Sequence, residues 1–236
     1  PVSTYRDPFG NLCRRTVAPT GDFAITLGGT ILDAGAPDPV DASLREVPVA
    51  ELPDDVLVYL LSSRYCEVDR MGAFAWQQFG NVAPGWPRVQ AIVDFVHQHI
   101  AFGYHHALDT RTAFDAFTER VGVCRDFAHL TLTLCRALNI PARYVNGYLG
   151  DIGVPKDPAP MDFSAWCEIY LDGRWYAFDA RHNKPRIGRI PVAFGRDATD
   201  VPLIHSFGPH VLTSFKVWTD ELEVLDAKQP LAEQAA

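Results

Sequence analysis

The sequence predicts an α+β fold, in which helices come first and an antiparallel sheet follows. From about residue 53 to residue 138, apolar residues recur every three or four positions. From residue 142 onward, apolar and polar residues alternate instead. The first spacing is typical of amphipathic helices and the second of half-buried strands. Because the two kinds of element follow one another rather than alternate, the order favours α+β over α/β.

Five helices are predicted from apolar spacing and from residues that favour helix ends. They cover 54–61, 67–79 (weakened by Gly72), a segment with Pro87 in its first turn, a segment capped by Thr110 that runs through Arg120, and a segment that starts at Cys124 and is stopped by Asn139 and Pro141. Proline suits the first turn of a helix because the N–H groups there have no partner within the helix.

The position of Cys124 at the start of a helix predicts a reactive thiol. The first helical turn has free N–H groups, and the helix dipole favours an anion there. A thiol at that point is expected to lose its proton more readily, and the thiolate is the nucleophilic form. The alternative is a buried cysteine that acts as a small apolar side chain. The position favours the nucleophile.

Strands are predicted at 142–149, 164–171, 174–179 and 211–218. Asp172-Gly173 is typical of a two-residue hairpin turn. Such a turn places Leu171 opposite Arg174, so that the numbers of paired residues sum to 345. In this register Ser164 and Asp179 are diagonal neighbours, with backbones roughly 7–8 Å apart. The apolar face of 164–171 is expected to cover the core.

Residues 1–50 are predicted to form a partial β region and linker, residues 51–225 the core, and residues 226–236 a polar tail. One strand of the first region is expected at 23–27. A few strands cannot stand alone. They are therefore expected to pack on the core, or to have lost partner strands that precede Pro1.

Composition excludes several classes of function. The net charge of −8 argues against nucleic acid or an anionic membrane as the main partner. No apolar run approaches the length of a membrane span. The five cysteines form no C-x-x-C pair, so a reducing compartment, the cytoplasm, is expected. No spacing is typical of a metal site, and neither a metal nor another cofactor is expected. The oligomeric state is left open.

Four motifs in sequence resemble a known family. They are Gly-Val-Cys-Arg-Asp-Phe-Ala-His at 122–129, Asn-Ile-Pro-Ala-Arg-Tyr-Val-Asn-Gly-Tyr at 139–148, Ala-Trp-Cys-Glu-Ile-Tyr at 165–170 and Gly-Arg-Trp-Tyr-Ala-Phe-Asp at 173–179. In this order they resemble the bacterial transglutaminase-like cysteine peptidase superfamily, over about residues 85–185. The resemblance implies a papain-like α+β core and amide hydrolysis or acyl transfer on a peptide or protein substrate. It also implies a small N-terminal β domain, which residues 1–50 resemble in part.

The resemblance assigns roles to three positions. It makes Cys124 the nucleophile and Asp179 the residue that orients the base. The base is expected to be the histidine before Ala-Trp, and that position is Ser164. A serine hydroxyl cannot accept a proton at neutral pH as imidazole does, and proton transfer contributes about 10²–10⁴-fold to catalysis. His182, in a predicted turn after Asp179, is the candidate substitute.

Two aromatic residues are candidates for binding substrate. Trp166 either forms a wall of an acyl-binding cleft or covers the sheet surface. Tyr104 either donates a hydrogen bond to an oxyanion or packs in the core. The backbone N–H of Cys124 is the better oxyanion donor, because the N-terminus of a helix presents such groups ready-made.

The serine at position 164 allows three interpretations of the function of this chain. The chain is a cysteine hydrolase or acyltransferase with a relocated base, or it is a catalytically impaired papain-like fold that serves as a peptide- or protein-binding module. In the third, Ser164 is an engineered change that traps a substrate complex. The intact Cys124 and Asp179 favour the first.

Overall fold

The computed structural model describes residues 2–158 and 161–222, and it has the predicted α+β architecture. The helices are α1 Val68–Phe79, α2 Trp86–His99, α3 Ala113–Glu119 and α4 Cys124–Ala137. The strands are β1 Val2–Arg6, β2 Leu12–Thr16, β3 Ala101–Phe102, β4 Val121–Gly122, β5 Ala142–Leu149, β6 Ser164–Leu171, β7 Arg174–Phe178 and β8 Arg189–Gly195. Short 3₁₀ turns occupy Val49–Glu51, Leu57–Leu60 and Tyr104–His106.

The main sheet has four antiparallel strands in the order β7-β6-β5-β8. Leu171 pairs with Arg174 across the β6–β7 hairpin, so the predicted register is confirmed. Asp172 and Gly173 have φ values of 42° and 82°. Positive φ at both positions gives the type of turn whose twist matches two antiparallel strands.

Helix α4 lies against one face of this sheet and is surrounded by α1, α2 and α3. The inward-facing residues of β6 are buried against it, as the alternation predicted. Arg136, in the last turn of α4, fastens the helix to the next strand. Its Nε and Nη2 donate to the carbonyl oxygen of Ala142 at 3.0 and 2.8 Å. The carbonyls that end a helix attract a cation, so this buried arginine suits the position.

The other face of the sheet is covered as well. Leu52 and Val56 pack on Tyr170 of β6, and all three are buried. Trp166, on the same face of β6, is only 2% exposed. The segment 47–60 therefore forms a third layer over the β6–β7 hairpin.

Several predicted elements differ from the structure. The helix predicted at 54–61 is only the 3₁₀ turn Leu57–Leu60. Thr112, not Thr110, caps α3, because its side chain accepts the N–H of Asp115. The segments 23–27 and 211–218 are without strand structure. Strand β8 was not predicted, and it supplies the edge next to β5.

The N-terminal region contains one hairpin, β1–β2, that contacts the core. Its turn residue Asn11 donates from Nδ2 to the carbonyl of Phe194 at 2.7 Å and accepts that residue's N–H at 2.8 Å. The hairpin is thus attached to β8. The boundary at residue 50 stays a prediction, and the tail at 226–236 lies outside the described residues.

Two glycine-to-alanine changes should shift stability in opposite directions. Gly72 lies inside α1 with open space around its missing Cβ, so Gly72→Ala should stabilise the protein by about 0.5–1 kcal/mol. Gly173 also has open space, but its φ is +82°. Gly173→Ala should therefore destabilise by about 1 kcal/mol. Urea unfolding of both variants tests this, and equal signs would contradict the backbone account.

Candidate active site

The chain arrives at Cys124 through a short and well-anchored connection. Strand β4 pairs with β3 in parallel and leads to Val123, the residue before α4. The N–H of Val123 donates to Oδ2 of Asp126 at 2.8 Å. A Cβ on Gly122 would lie only 2.6 Å from the Cβ of Asp126, so glycine is required there. The nucleophile candidate is thus the first residue of a helix whose entry is fixed by Asp126.

The thiol of Cys124 is neutral at rest. The residue is half-buried, and burial of the side chain raises the pKa of Cys124 above its ordinary value. The positive charge of Arg181 and the backbone N–H of Ala165 oppose this, while Asp179 and Asp162 reinforce it. Desolvation therefore opposes the easily ionised thiol that the start of a helix predicts.

Asp179 forms a hydrogen-bonded pair with His182. Its Oδ2 lies 2.8 Å from Nδ1 of His182. Burial alone would raise the pKa of Asp179, but the hydrogen bond from His182 and the charge of Arg189 hold it well below its usual range. An ionised carboxylate accepts a hydrogen bond, so Nδ1 carries the hydrogen, and in the neutral tautomer Nε2 is then the nitrogen that can accept a proton.

A turn brings His182 back over Asp179. Oδ1 of Asp179 accepts the N–H groups of Arg181 and His182 at 3.1 and 3.2 Å. The N–H of Asn183, whose φ is 48°, donates to the carbonyl of Asp179 at 2.7 Å. Side chains of aspartate commonly fold the backbone in this way. The chain bends after β7 instead of continuing straight, as the sequence allowed for His182.

Arg189 completes the surroundings of Asp179. Its Nη1 lies 3.1 Å from Oδ2 of Asp179, and its Nε lies 2.8 Å from Oδ2 of Asp38. The guanidinium also lies over the ring of Trp166, 5.1 Å from its centre. Trp166 therefore supports Arg189 from the sheet, and its burial favours the sheet-covering alternative over a cleft wall.

Three of the predicted site residues line one cavity of about 80 Å³. Ser164, His182 and Tyr104 line it, together with Arg181 and Asp162. Cys124 and Asp179 are not among the lining residues, but the Cys124 thiol accepts the backbone N–H of Ala165, the residue that follows Ser164. Trp166 is not among the lining residues. Within residues 2–158 and 161–222, no group of three or more His, Cys, Asp or Glu side chains could hold a metal ion.

The histidines within helices α2 and α4 have structural contacts. His129 is completely buried, and its Nε2 accepts the N–H of Ala198 at 3.1 Å. Burial lowers the pKa of His129, so its ring stays neutral. His97 and His99 each contact a backbone carbonyl oxygen, at 2.8 and 2.7 Å. His182 is thus the histidine that the fold pairs with Asp179.

The sequence motifs assign no role to Arg181 or Arg189. Arg189 belongs to a strand that was not predicted. Arg181 directly precedes the candidate base, and a charged residue in a turn is usually solvated. Only the bend after β7 shows that this arginine faces the cavity.

Comparisons with known proteins agree with the motifs. Residues 73–180 match the transglutaminase-like superfamily. The crystal structure of a candidate cysteine protease from Cytophaga hutchinsonii is 37% identical, with a TM-score of 0.63, over 75% of this chain and 63% of that chain. An uncharacterized protein of Mycobacterium leprae is 38% identical over 97 residues, which are 38% of this chain and 33% of that protein. One from Mycobacterium tuberculosis is 35% identical over 92 residues, 35% of this chain and 29% of its own.

The fold and the site define a papain-like α+β protein with a cysteine at the start of a central helix. The resemblance of the motifs to the transglutaminase-like superfamily is confirmed over residues 73–180. The chain spans only about a third of the length of these curated relatives.

The raised pKa of Cys124 predicts how its alkylation depends on pH. A free thiol titrates near about 8.5. The rate of alkylation at Cys124 should inflect above that value, and Arg181→Gln should move the inflection higher still, because Arg181 favours the thiolate. Peptide-resolved mass spectrometry after timed iodoacetamide treatment measures this. An inflection below that of the free thiol would contradict the neutral resting state.

Asp179→Asn should destabilise the protein by about 2–4 kcal/mol at pH 7, because Arg189 would lose a buried ionic partner. The lowered pKa of Asp179 gives stability that is present above the pKa of the unfolded chain, about 3.9, and is lost as the pH falls below it. The difference between wild type and variant should therefore shrink from pH 7 to pH 3. Urea unfolding at both values tests this, with exposed Asp55→Asn as the control. A constant difference would show that the charge is not responsible.

Proposed function

We propose that this chain is a cysteine-dependent hydrolase of peptide or side-chain amides, in which His182 takes the place of the histidine that Ser164 replaces. The observation that carries the proposal is the hydrogen bond of 2.8 Å between Asp179 and Nδ1 of His182. It gives the imidazole the carboxylate partner that a catalytic base needs, at the cavity that Ser164 also lines. Catalytic triads are defined by geometry and not by sequence position.

In the proposed reaction, Sγ of Cys124 attacks the amide carbonyl carbon while its proton passes to Nε2 of His182. The carbonyl electron pair moves to the oxygen, and the backbone N–H of Cys124 donates a hydrogen bond to that oxyanion. When the oxyanion collapses, the C–N bond breaks, and the amine leaves with the proton from His182. A thioester to Cys124 remains.

Water then completes the cycle. It loses a proton to His182 as its oxygen attacks the thioester carbon. The C–S bond breaks, the sulfur recovers the proton, and a carboxylic acid is released. An amine in place of water would give acyl transfer. Hydrolysis is the proposed outcome, and no cofactor takes part in any step.

The neutral thiol suits this sequence of steps. Among the described residues, no hydrogen bond joins Cys124 to a histidine side chain. A resting thiolate–imidazolium pair is therefore not part of the proposal, and His182 acts as a general base at the moment of attack. Catalytic hydrogen bonds often tighten only when substrate binds.

Room for a substrate extends beyond the small cavity. A second cavity of about 480 Å³ shares Asp151, Met161 and Thr219 with it. We propose that a peptide or protein segment lies along both cavities, so that its scissile amide reaches Cys124. Tyr104 lines the cavity of about 80 Å³, which we call the inner cavity. Its side chain is 47% exposed, which favours contact with substrate over core packing.

The second candidate is a peptide-binding module without turnover. Ser164 and the raised pKa of Cys124 favour it, because both weaken a nucleophile that depends on a base. The intact pair of Asp179 and His182 favours the enzyme.

We also propose the cytoplasm as the location. All five cysteines are free, and a reducing compartment keeps them so. None of the helices within the described residues is long and apolar enough to cross a bilayer.

His182→Ala should lower kcat/KM on a peptide amide by about 10²–10⁴-fold, the contribution of general-base catalysis. Exposed His205→Ala is the matched control and should leave turnover unchanged. Ser164→Ala should also have little effect, because the hydroxyl has no assigned step. Release of amine from a peptide library, followed by mass spectrometry, measures all three. Unchanged turnover in His182→Ala would remove His182 as the base.

Ser164→His distinguishes the two candidate functions. If the scaffold is catalytic, this variant should restore measurable turnover in the His182→Ala background. If the double variant binds peptides but releases no amine, and the wild type behaves likewise, the binding module is correct.

A further inference from the structure

Among the groups that line the inner cavity, the guanidinium of Arg181 is the most unusual. It lines the inner cavity, and it is the strongest positive influence on the thiol. Most other arginines near the site are paired: Arg189 with Asp38 and Asp179, and Arg186 with Asp151 at 4.0 Å. Within residues 2–158 and 161–222, the Arg181 side chain has no hydrogen bond or ion pair.

Aromatic rings hold this guanidinium from one side. Its central carbon lies 3.9 Å from the ring centre of Phe102 and 5.8 Å from that of Tyr104. Stacking of this kind uses the flat face of the guanidinium and leaves its N–H edges available. An arginine with free N–H edges matches the two oxygens of a carboxylate.

The turn that orients the base also fixes Arg181. Its backbone N–H donates to Oδ1 of Asp179, while Oδ2 of the same carboxylate accepts from His182. One bend therefore presents Arg181 and His182 to the same cavity. A substrate whose amide reaches Cys124 would place its neighbouring groups within reach of the guanidinium.

Three carboxylates also line this cavity, those of Asp151, Asp157 and Asp162, and they limit which anions fit. Asp162 lines the cavity and acts on Cys124 against Arg181. Its Oδ1 accepts the N–H of Phe163. Asp151 accepts the N–H of Asp157 and faces Arg186. Among the described residues that line this cavity, Arg181 is thus the cation whose side chain has no hydrogen bond or ion pair, and it is available to an incoming anion.

We infer that Arg181 forms a carboxylate-binding subsite next to Cys124, and that the substrates are peptides whose scissile amide lies within about one residue of a free carboxylate. This inference rests on the proposed function for the identity of the scissile bond. The subsite itself is a statement about binding and can be tested without turnover.

Two alkylating agents that differ in charge test the subsite directly. Iodoacetate carries a carboxylate, iodoacetamide is neutral, and both react with the thiolate. The ratio of their rates at Cys124 therefore cancels the effect of Arg181 on the pKa of the thiol. The ratio should exceed that of N-acetylcysteine. In Arg181→Gln it should fall by about tenfold, as expected for loss of a charge-assisted hydrogen bond.

Two further variants serve as controls. Arg181→Lys keeps the charge and should keep part of the preference for iodoacetate. Lys184→Gln removes the same charge from an exposed position three residues away, and should leave the ratio unchanged. An equal ratio in wild type and Arg181→Gln would overturn the subsite, and so would an equal fall in Lys184→Gln.

A measurement on the wild type covers the case in which Arg181→Gln does not fold. N-acetylglycine should protect Cys124 from iodoacetamide at concentrations at which N-acetylglycinamide does not. Equal protection by both, or none by either, would overturn the inference.

Turnover then separates the inference from the proposed function. Wild type should cleave a peptide with a free C-terminal carboxylate about tenfold faster than the same peptide with an amidated C-terminus. If neither peptide is cleaved but the alkylation ratio responds to Arg181→Gln, the proposed function fails and the subsite stands. Equal cleavage of both peptides would show that the subsite does not select substrates.

Discussion

The buried carboxylate of Asp179 organises the site and much of the structure around it. It accepts hydrogen bonds from the His182 ring, from two backbone N–H groups and from Arg189. Through Arg189 it is connected to Asp38, in the segment that precedes the helices. A buried charge with this many partners is costly to disturb, because loss of one partner leaves the others unpaired. The end of β7, the following turn, β8 and residue 38 are held together by this one group.

The sequence could predict the parts of the fold that depend on local pattern. The alternation of apolar and polar residues, together with an Asp-Gly turn, was enough to predict the β6–β7 register. A shift by one residue would bury the polar face of β6 instead of the apolar one. The helix at Cys124 was predicted by its apolar spacing. Strands at 23–27 and 211–218 were predicted on the same grounds and are wrong, because a strand also needs a partner. Within residues 2–158 and 161–222, no strand pairs with either segment, whereas β8 pairs with β5 despite a weaker pattern.

For the candidate site, the motifs could indicate positions but not the contacts between them. The motifs located Cys124, Asp179 and the unexpected Ser164. Whether His182 would face the site depended on the bend after β7, and that bend is made by hydrogen bonds between a side chain and the backbone. Such bonds leave little periodic signal in a sequence. That the pKa of Cys124 is raised could not be predicted, for a related reason. The start of the helix could be predicted from the sequence, but burial of the thiol depends on packing by distant residues.

A serine at the expected histidine position need not remove the base, if the same carboxylate can orient an imidazole from another direction. On β6 a histidine would reach Asp179 from a neighbouring strand, whereas His182 reaches it from the turn that Asp179 itself stabilises. The turn then depends on the same ionised carboxylate that orients the base. A variant that neutralises Asp179 would therefore lose the position of His182 together with its hydrogen bond. In a strand-borne arrangement the sheet would hold the histidine in place without the carboxylate. With His182 as the base, the backbone conformation of residues 179–183 is thus coupled to the protonation state of Asp179. This coupling distinguishes the arrangement physically from a triad built on two strands.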